Sequence, residues 1–183
     1  MLTREEALRL VKEHVQKDNL FKHMLAVETI MKKCAEFLGE DQNKWALTGL
    51  LHDIDFDKIE HPKEHGIIAC DILKDKVDEE ILTAIKSHNF ENTGIMPQSN
   101  MEYCLIAADA ISGLIIACGL MIPSKKLAEV KVESIKKKYK QKDFARNCSR
   151  EKMLYCEKAG IPINKFYEIA LIASQGIASD LGL

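Results

Sequence analysis

Apolar residues recur at three- and four-residue spacing along nearly the whole chain, and the two-residue alternation of a half-buried strand is almost absent. The pattern predicts helices separated by short breaks. Thr3 followed by Glu6 is a capping-box signature that opens a first helix to about Val15. Asp18 is placed to cap a second, running to about Leu38 and stopped by Gly39. A third begins near Asp41 and ends near His52-Asp53. His61-Pro62 opens a fourth, with proline suited to the first helical position, and Asp78 caps a fifth that reaches about His88. Asn89 to Gln98 reads as a loop, and Ser99 with Glu102 starts a long sixth helix that Pro123 ends. Lysine-rich helices follow from Ser124 to about Tyr139 and from Asp143 to about Lys158. Gly160 and Pro162 break the chain before a last amphipathic helix from about Asn164 to Leu181. With no repeat and no linker, the expected fold class is all-α: one compact helical bundle over residues 1–183.

Composition narrows the function. The 183 residues suit one domain, and 46% apolar content supplies a substantial core. The 26 basic and 28 acidic side chains leave a net charge of −2, which argues against a dedicated nucleic-acid or membrane binder. Tyr103 to Ile122 is the longest apolar stretch, but Asp109 interrupts it, so it reads as a buried helix and not a membrane span. The opening MLTREEALRL carries charges and no apolar signal core, so a cytoplasmic protein is expected. None of the six cysteines forms a C-x-x-C pair, which points to reduced, buried thiols.

Polar groups on apolar helix faces are costly to bury without partners, and so mark chemistry. His23 shares a face with Leu20, Val27 and Ile30, and His65 lies with Ile68, Ala69 and Ile72. His88 follows Ile81 and Ile85 at offsets of seven and three. Asp109 is flanked by Leu105, Ile106, Ala110 and Ile111, where a carboxylate needs a cation or several donors. Each alone could be a hydrogen-bonded core residue. Together with His52-Asp53, at the end of another apolar helix, they bring imidazoles and carboxylates into one interior, as helical metal sites do. Neighbours in a helix point about 100° apart and would not share an ion, but a turning helix end can aim both inward.

At these residues the chain resembles the HD-domain superfamily, whose pattern is a His, a His-Asp doublet and a later Asp. His23, His52, Asp53 and Asp109 match it in order, in the contexts HMLAVE, LLHDID and AADA. The likeness covers about Asp18 to Leu120, and implies a metal-binding core over about 18–120 with C-terminal helices, about 124–183, packed on it. Members with two metals carry extra histidines between doublet and last Asp, positions that His65 and His88 resemble. The Ile-Gly and Gly-Tyr-Pro signatures of cyclic-dinucleotide phosphodiesterases are absent. A wider resemblance to small predicted HD hydrolases runs through SGLIIACGLMIPSKKL and KDFARNCSRE, and carries no substrate with it.

The implied activity is metal-dependent hydrolysis of a phosphate ester, in a nucleotide or small phosphorylated metabolite, by a metal-activated water. The nitrogen and oxygen donors suit manganese, iron, cobalt, zinc or magnesium, as one or two ions. With two, about 3.5–4 Å apart, Asp53 would be the bridge and the catalytic carboxylate. Lys58, five residues past the doublet, could approach charge developing on phosphate, or be a solvated loop lysine. His61 could share a face with His65, although its place before Pro62 favours a cap. The run Asp53, Asp55, Asp57 is not a calcium loop, because Lys58 stands where that loop needs glycine. Asp55 and Asp57 are expected to be solvated or to support the ligands.

Between Lys125 and Lys152 lie eleven basic and four acidic residues. A solvated face is the default, and Arg146 with Arg150 could instead grip a phosphate. Few aromatics are present for stacking bases, which again argues against nucleic acid. A di-iron oxygenase and a non-catalytic metal or nucleotide sensor are the alternatives.

Overall fold

The computed structural model describes residues 2–183, and among them the chain is entirely helical, without a strand. Helix α1, Arg4–His14, is opened by Thr3, whose hydroxyl accepts the Glu6 N–H while the Glu6 carboxylate accepts the Thr3 N–H at 2.8 Å. Helix α2 is Asp18–Leu38. Asp18 is not its cap but its first residue, paired with Lys22 at 2.8 Å. Asp57 instead secures this corner, accepting the N–H groups of Gln16 and Lys17 at 2.9 and 3.3 Å and pairing with the Lys17 ammonium.

Helix α3, Gln42–Leu51, is capped by Asp41, which accepts the N–H groups of Asn43 and Lys44 at 2.9 and 3.0 Å. It lies hard against α2. A Cβ on Gly49 would stand 2.8 Å from the Val27 carbonyl oxygen and 2.9 Å from the Glu28 Cα, so only glycine fits. That contact sets the end of α3 beside the N-terminal half of α2.

The fourth predicted helix is broken in two. A 3-10 turn spans Pro62–Glu64 with His61 at its start, His65 is extended, and α4 begins only at Ile67–Leu73. The break has a physical cause. The Asp55 carboxylate takes the N–H groups of Gly66 and Ala69 at 2.8 and 2.9 Å, and Gly66 turns through φ 85° to deliver its own. His65 is therefore not on a helix face with Ile68 and Ile72.

Helix α5 is Glu79–His88, and Asp78 pairs with Lys44 at 3.0 Å and makes no side-chain cap. The predicted loop after it contains a one-turn helix, α6, Phe90–Thr93. Helix α7, Asn100–Met121, is capped by Ser99 and is long and apolar enough to cross a membrane by length and composition. Here it is the central core helix, with Leu105, Ile106, Ile111 and Leu114 fully buried.

The lysine-rich segment is more broken than its periodicity predicts. After a 3-10 turn at Leu127–Glu129 come α8, Val132–Lys140, then turns, then the single-turn helices α9, Arg150–Met153, and α10, Tyr155–Lys158. Helix α11, Ile163–Gln175, and the short α12, Ala178–Leu181, finish the chain. All six cysteines are free, Cys148 half-buried and the others buried.

Two apolar clusters hold these elements together. Ile30, Met31, Leu105, Ile111 and Phe166 belong to one, built on α2, α7 and α11. Val11, Met24, Leu50, Leu51, Leu73 and Ile85 belong to the other, built on α1 and α3 to α5. Helix α2 contributes to both, and the polar site described next draws on helices from both.

Candidate metal centre

Asp53 stands in the turn after α3, nearly buried, with four imidazoles around it. Its Oδ2 is 3.4 Å from Nε2 of His23. Its Oδ1 is 3.2, 3.3 and 3.6 Å from Nε2 of His52, His65 and His88. The imidazoles form two facing pairs: Nε2 of His23 lies 3.2 Å from that of His52, and Nε2 of His88 lies 2.9 Å from that of His65. Asp109 reaches the first pair only, 3.3 Å from His23 and 4.0 Å from His52. Two groups of potential ligand atoms result, His23-His52-Asp53 and Asp53-His65-His88, with Asp53 in both.

The outer nitrogens fix the tautomers. Nδ1–H of His52 donates to the Gly49 carbonyl at 2.8 Å, and Nδ1–H of His88 donates to the Ile85 carbonyl. Nδ1–H of His65 donates to the Asp55 carboxylate at 2.8 Å. Ser112 spends its hydroxyl proton on the Asp109 carbonyl at 2.8 Å, so its oxygen accepts Nδ1–H of His23 at 3.0 Å. In the neutral imidazoles, all four Nε2 atoms thereby present lone pairs towards one another and Asp53. Imidazole lone pairs facing each other at hydrogen-bond distance, beside carboxylates, need positive charge between them. The residues present fit a divalent cation.

The ionisation of the cluster without an ion follows the same logic. Burial pushes His23 down, but its hydrogen bonds to Asp109 and Asp53 overcome this and raise it to about 10. Burial likewise opposes, and Asp53 and Asp55 overcome it, in raising His65 to about 10. His52, fully buried, is driven by burial down to about 4. Asp53 is held well below the carboxylate range, since the surrounding imidazoles outweigh its own burial. His23 and His65 thus each carry a proton that faces Asp53, in the place a cation would take.

Asp109 departs from its expected setting. Its side chain is 32% exposed, because it lies on the stripe of α7 that faces a cleft while the rest of the helix is buried. That cleft, of about 390 Å³, is lined by His23, Asp53, His65, His88 and Asp109 together with Leu20, Phe56, Asn89 and Lys152, while His52 lies fully buried behind it. Asn89 donates to the carbonyls of Pro62 and His65 at 2.8 and 3.0 Å and so holds the His65 backbone.

The three basic residues predicted to meet substrate are elsewhere. Lys58 is exposed, off the cleft, and its charge acts on His14 of α1. Arg146 is exposed and does not line the cleft. Arg150 is consumed internally, donating to the carbonyls of Tyr139, Phe144, Ala145 and Cys148 among others. The sequence reading overlooked Ser112, Asn89 and Lys152. Only Ser112 carries a local signal, one turn beyond Asp109 on the same helix.

Residues 20–114 match the HD domain family, and the chain belongs to it. Its all-helical fold is consistent with that class. Curated relatives include Ribonuclease Y of Nitratidesulfovibrio vulgaris (strain DP4), 34% identical over 98 residues. Ribonuclease Y of Oleidesulfovibrio alaskensis and of Lawsonia intracellularis are 31% and 33% identical over the same length. These alignments cover 52% of this chain but only 18% of each relative. No solved structure matches. The family and these relatives support a hydrolase.

Proposed function

We propose that this chain is a metal-dependent phosphohydrolase. His23, His52, Asp53 and Asp109 hold one divalent ion, and Asp53, His65 and His88 hold a second. The observation that carries this reading is the single Asp53 carboxylate shared by two three-residue donor groups, with every Nδ1 occupied elsewhere and every Nε2 turned towards Asp53. Bound divalent ions would polarise a phosphoryl oxygen and lower the pKa of a water between them. The protein's part is to hold the donors in fixed tautomers and to exclude bulk water on the buried side. Nitrogen and oxygen donors without thiolate suit manganese, iron, cobalt, zinc or magnesium. The cleft size supports a small phosphate ester as substrate.

The test is purification without added metal, elemental analysis, and assay against a broad panel of phosphate esters. Nucleotides belong in it, and so do short RNA oligonucleotides, since the curated relatives are ribonucleases by name. Metal-dependent release of phosphate or of a phosphorylated product without oxygen consumption supports the reading. Oxygen uptake with a di-iron spectrum would replace it with an oxygenase. A tightly bound nucleotide that never turns over would replace it with a sensor.

A further inference from the structure

Among the described residues, one cation lines the cleft. It is Lys152 of α9, delivered by the C-terminal segment and not by the half of the chain that carries the ligands. Its position is built. The guanidinium of Arg150 gathers carbonyls from both sides of the turns at 141–149, including Cys148 at 2.7 Å. The Cys148 sulfur is wedged against α7, where a Cβ on Gly113, one turn beyond Asp109, would lie 2.7 Å from it. Ser149 then caps α9 by accepting the Lys152 N–H at 3.2 Å. The start of α9 is thus fixed against the helix that carries Asp109.

The Lys152 side chain crosses to α6. Its ammonium is 2.7 Å from the Glu91 carboxylate and 5.6 Å from the centre of the Phe90 ring. The lysine side chain is only 21% exposed, whereas that of Glu91 is 57% exposed. A well-hydrated carboxylate is a weak holder of an ammonium group, and a phosphate offers more negative charge and more acceptors. We propose that Lys152 binds the phosphoryl group of the substrate, exchanging Glu91 for a phosphate oxygen when the cleft fills. The inference rests on the phosphohydrolase reading, and it names the residue that holds the anion from the side opposite the ions.

The experiment titrates inorganic phosphate into the full chain loaded with manganese(II), by calorimetry, with metal content measured on the same samples. The variants are Lys152→Met, Lys152→Arg and Glu91→Gln. Lys152→Met should weaken phosphate binding by about tenfold or more, and Lys152→Arg should recover most of it. Glu91→Gln removes the competitor and should tighten binding a few-fold. Metal content should be unchanged in all three. If the ion pair were merely structural, Lys152→Met and Glu91→Gln would shift phosphate affinity in the same direction. That result, or unchanged affinity in Lys152→Met, overturns the inference and leaves the phosphohydrolase reading standing. Wild-type protein that is fully metal-loaded yet binds no phosphate overturns both.

Discussion

Asp55 grips His65 and the chain beyond it at once. Its Oδ1 lies 2.8 Å from Nδ1 of His65, while its Oδ2 takes the backbone N–H groups of Gly66 and Ala69 at 2.8 and 2.9 Å. The carboxylate is fully buried, so all three donors depend on it. It orients the imidazole and ends the 3-10 turn in the same act.

Asp55→Asn keeps the volume but points an NH₂ group at a donor. The expected loss is about 1–3 kcal/mol of stability, from leaving a buried donor unpaired. Affinity for the ion on the His65 side should fall roughly 10–100-fold. Urea unfolding and metal titration of the folded variant check the two effects separately. Wild-type metal binding in Asp55→Asn would refute the orienting role.

Asp53 and Asp109 should be unequal. With about two ions per wild-type chain, Asp109→Ala should leave about one, and Asp53→Ala close to none. His65→Ala and His88→Ala should each remove mainly the ion on their own side. Elemental analysis of folded variants decides this, and equal stoichiometry for Asp53→Ala and Asp109→Ala would contradict the shared carboxylate.

Metal uptake should release protons. His23 and His65 stand near 10 without an ion, and each must lose its Nε2 proton to become a ligand. Affinity should therefore rise with pH throughout the range below about 10, by up to about tenfold per unit for each proton displaced. The ion-free fold should also lose stability as pH climbs from 6.5 towards 10, because the unfolded imidazoles give up their protons near 6.5. His52, at about 4, acts in the opposite sense and only below 6.5. Calorimetry in buffers of different ionisation enthalpy counts the protons, and none released at neutral pH would count against these ligands.

Gly49→Ala should be costly for one methyl group. The added carbon meets backbone of α2 at 2.8–2.9 Å, which cannot swing aside as a side chain would. A loss of at least about 1–3 kcal/mol is expected. Because the helices must part where His23 and His52 face each other, metal content should fall too. Denaturant unfolding and metal analysis of the same sample test both.

Helix existence was legible because periodicity and local caps are short-range. Thr3 with Glu6, Asp41 and Ser99 all act within three residues. Asp18 and Asp78 look equivalent in sequence, yet both pair with lysines, and Lys44 is far from Asp78 in the chain. The site chemistry was legible because His and Asp on apolar faces are conspicuous. The setting of His65 was not, since it depends on Asp55 closing a loop ten residues long. Lys58 stands close to His52-Asp53 in sequence, yet the turn leaves it exposed and off the cleft. A basic run likewise gives no sign that the Arg150 guanidinium is spent on carbonyls, or that Lys152 is the one facing inward.

The contact of two backbones at Gly49 has a further consequence. It makes the α2 and α3 side of the cleft, which carries His23, a fixed jaw, with no room at Gly49 for even one more carbon. The facing jaw, formed by Asn89, α6 and α9, is held through side chains such as Asn89, Arg150 and Lys152. Exchanging residues of the second jaw would therefore reshape the cleft without parting the two backbones that set His23 beside His52.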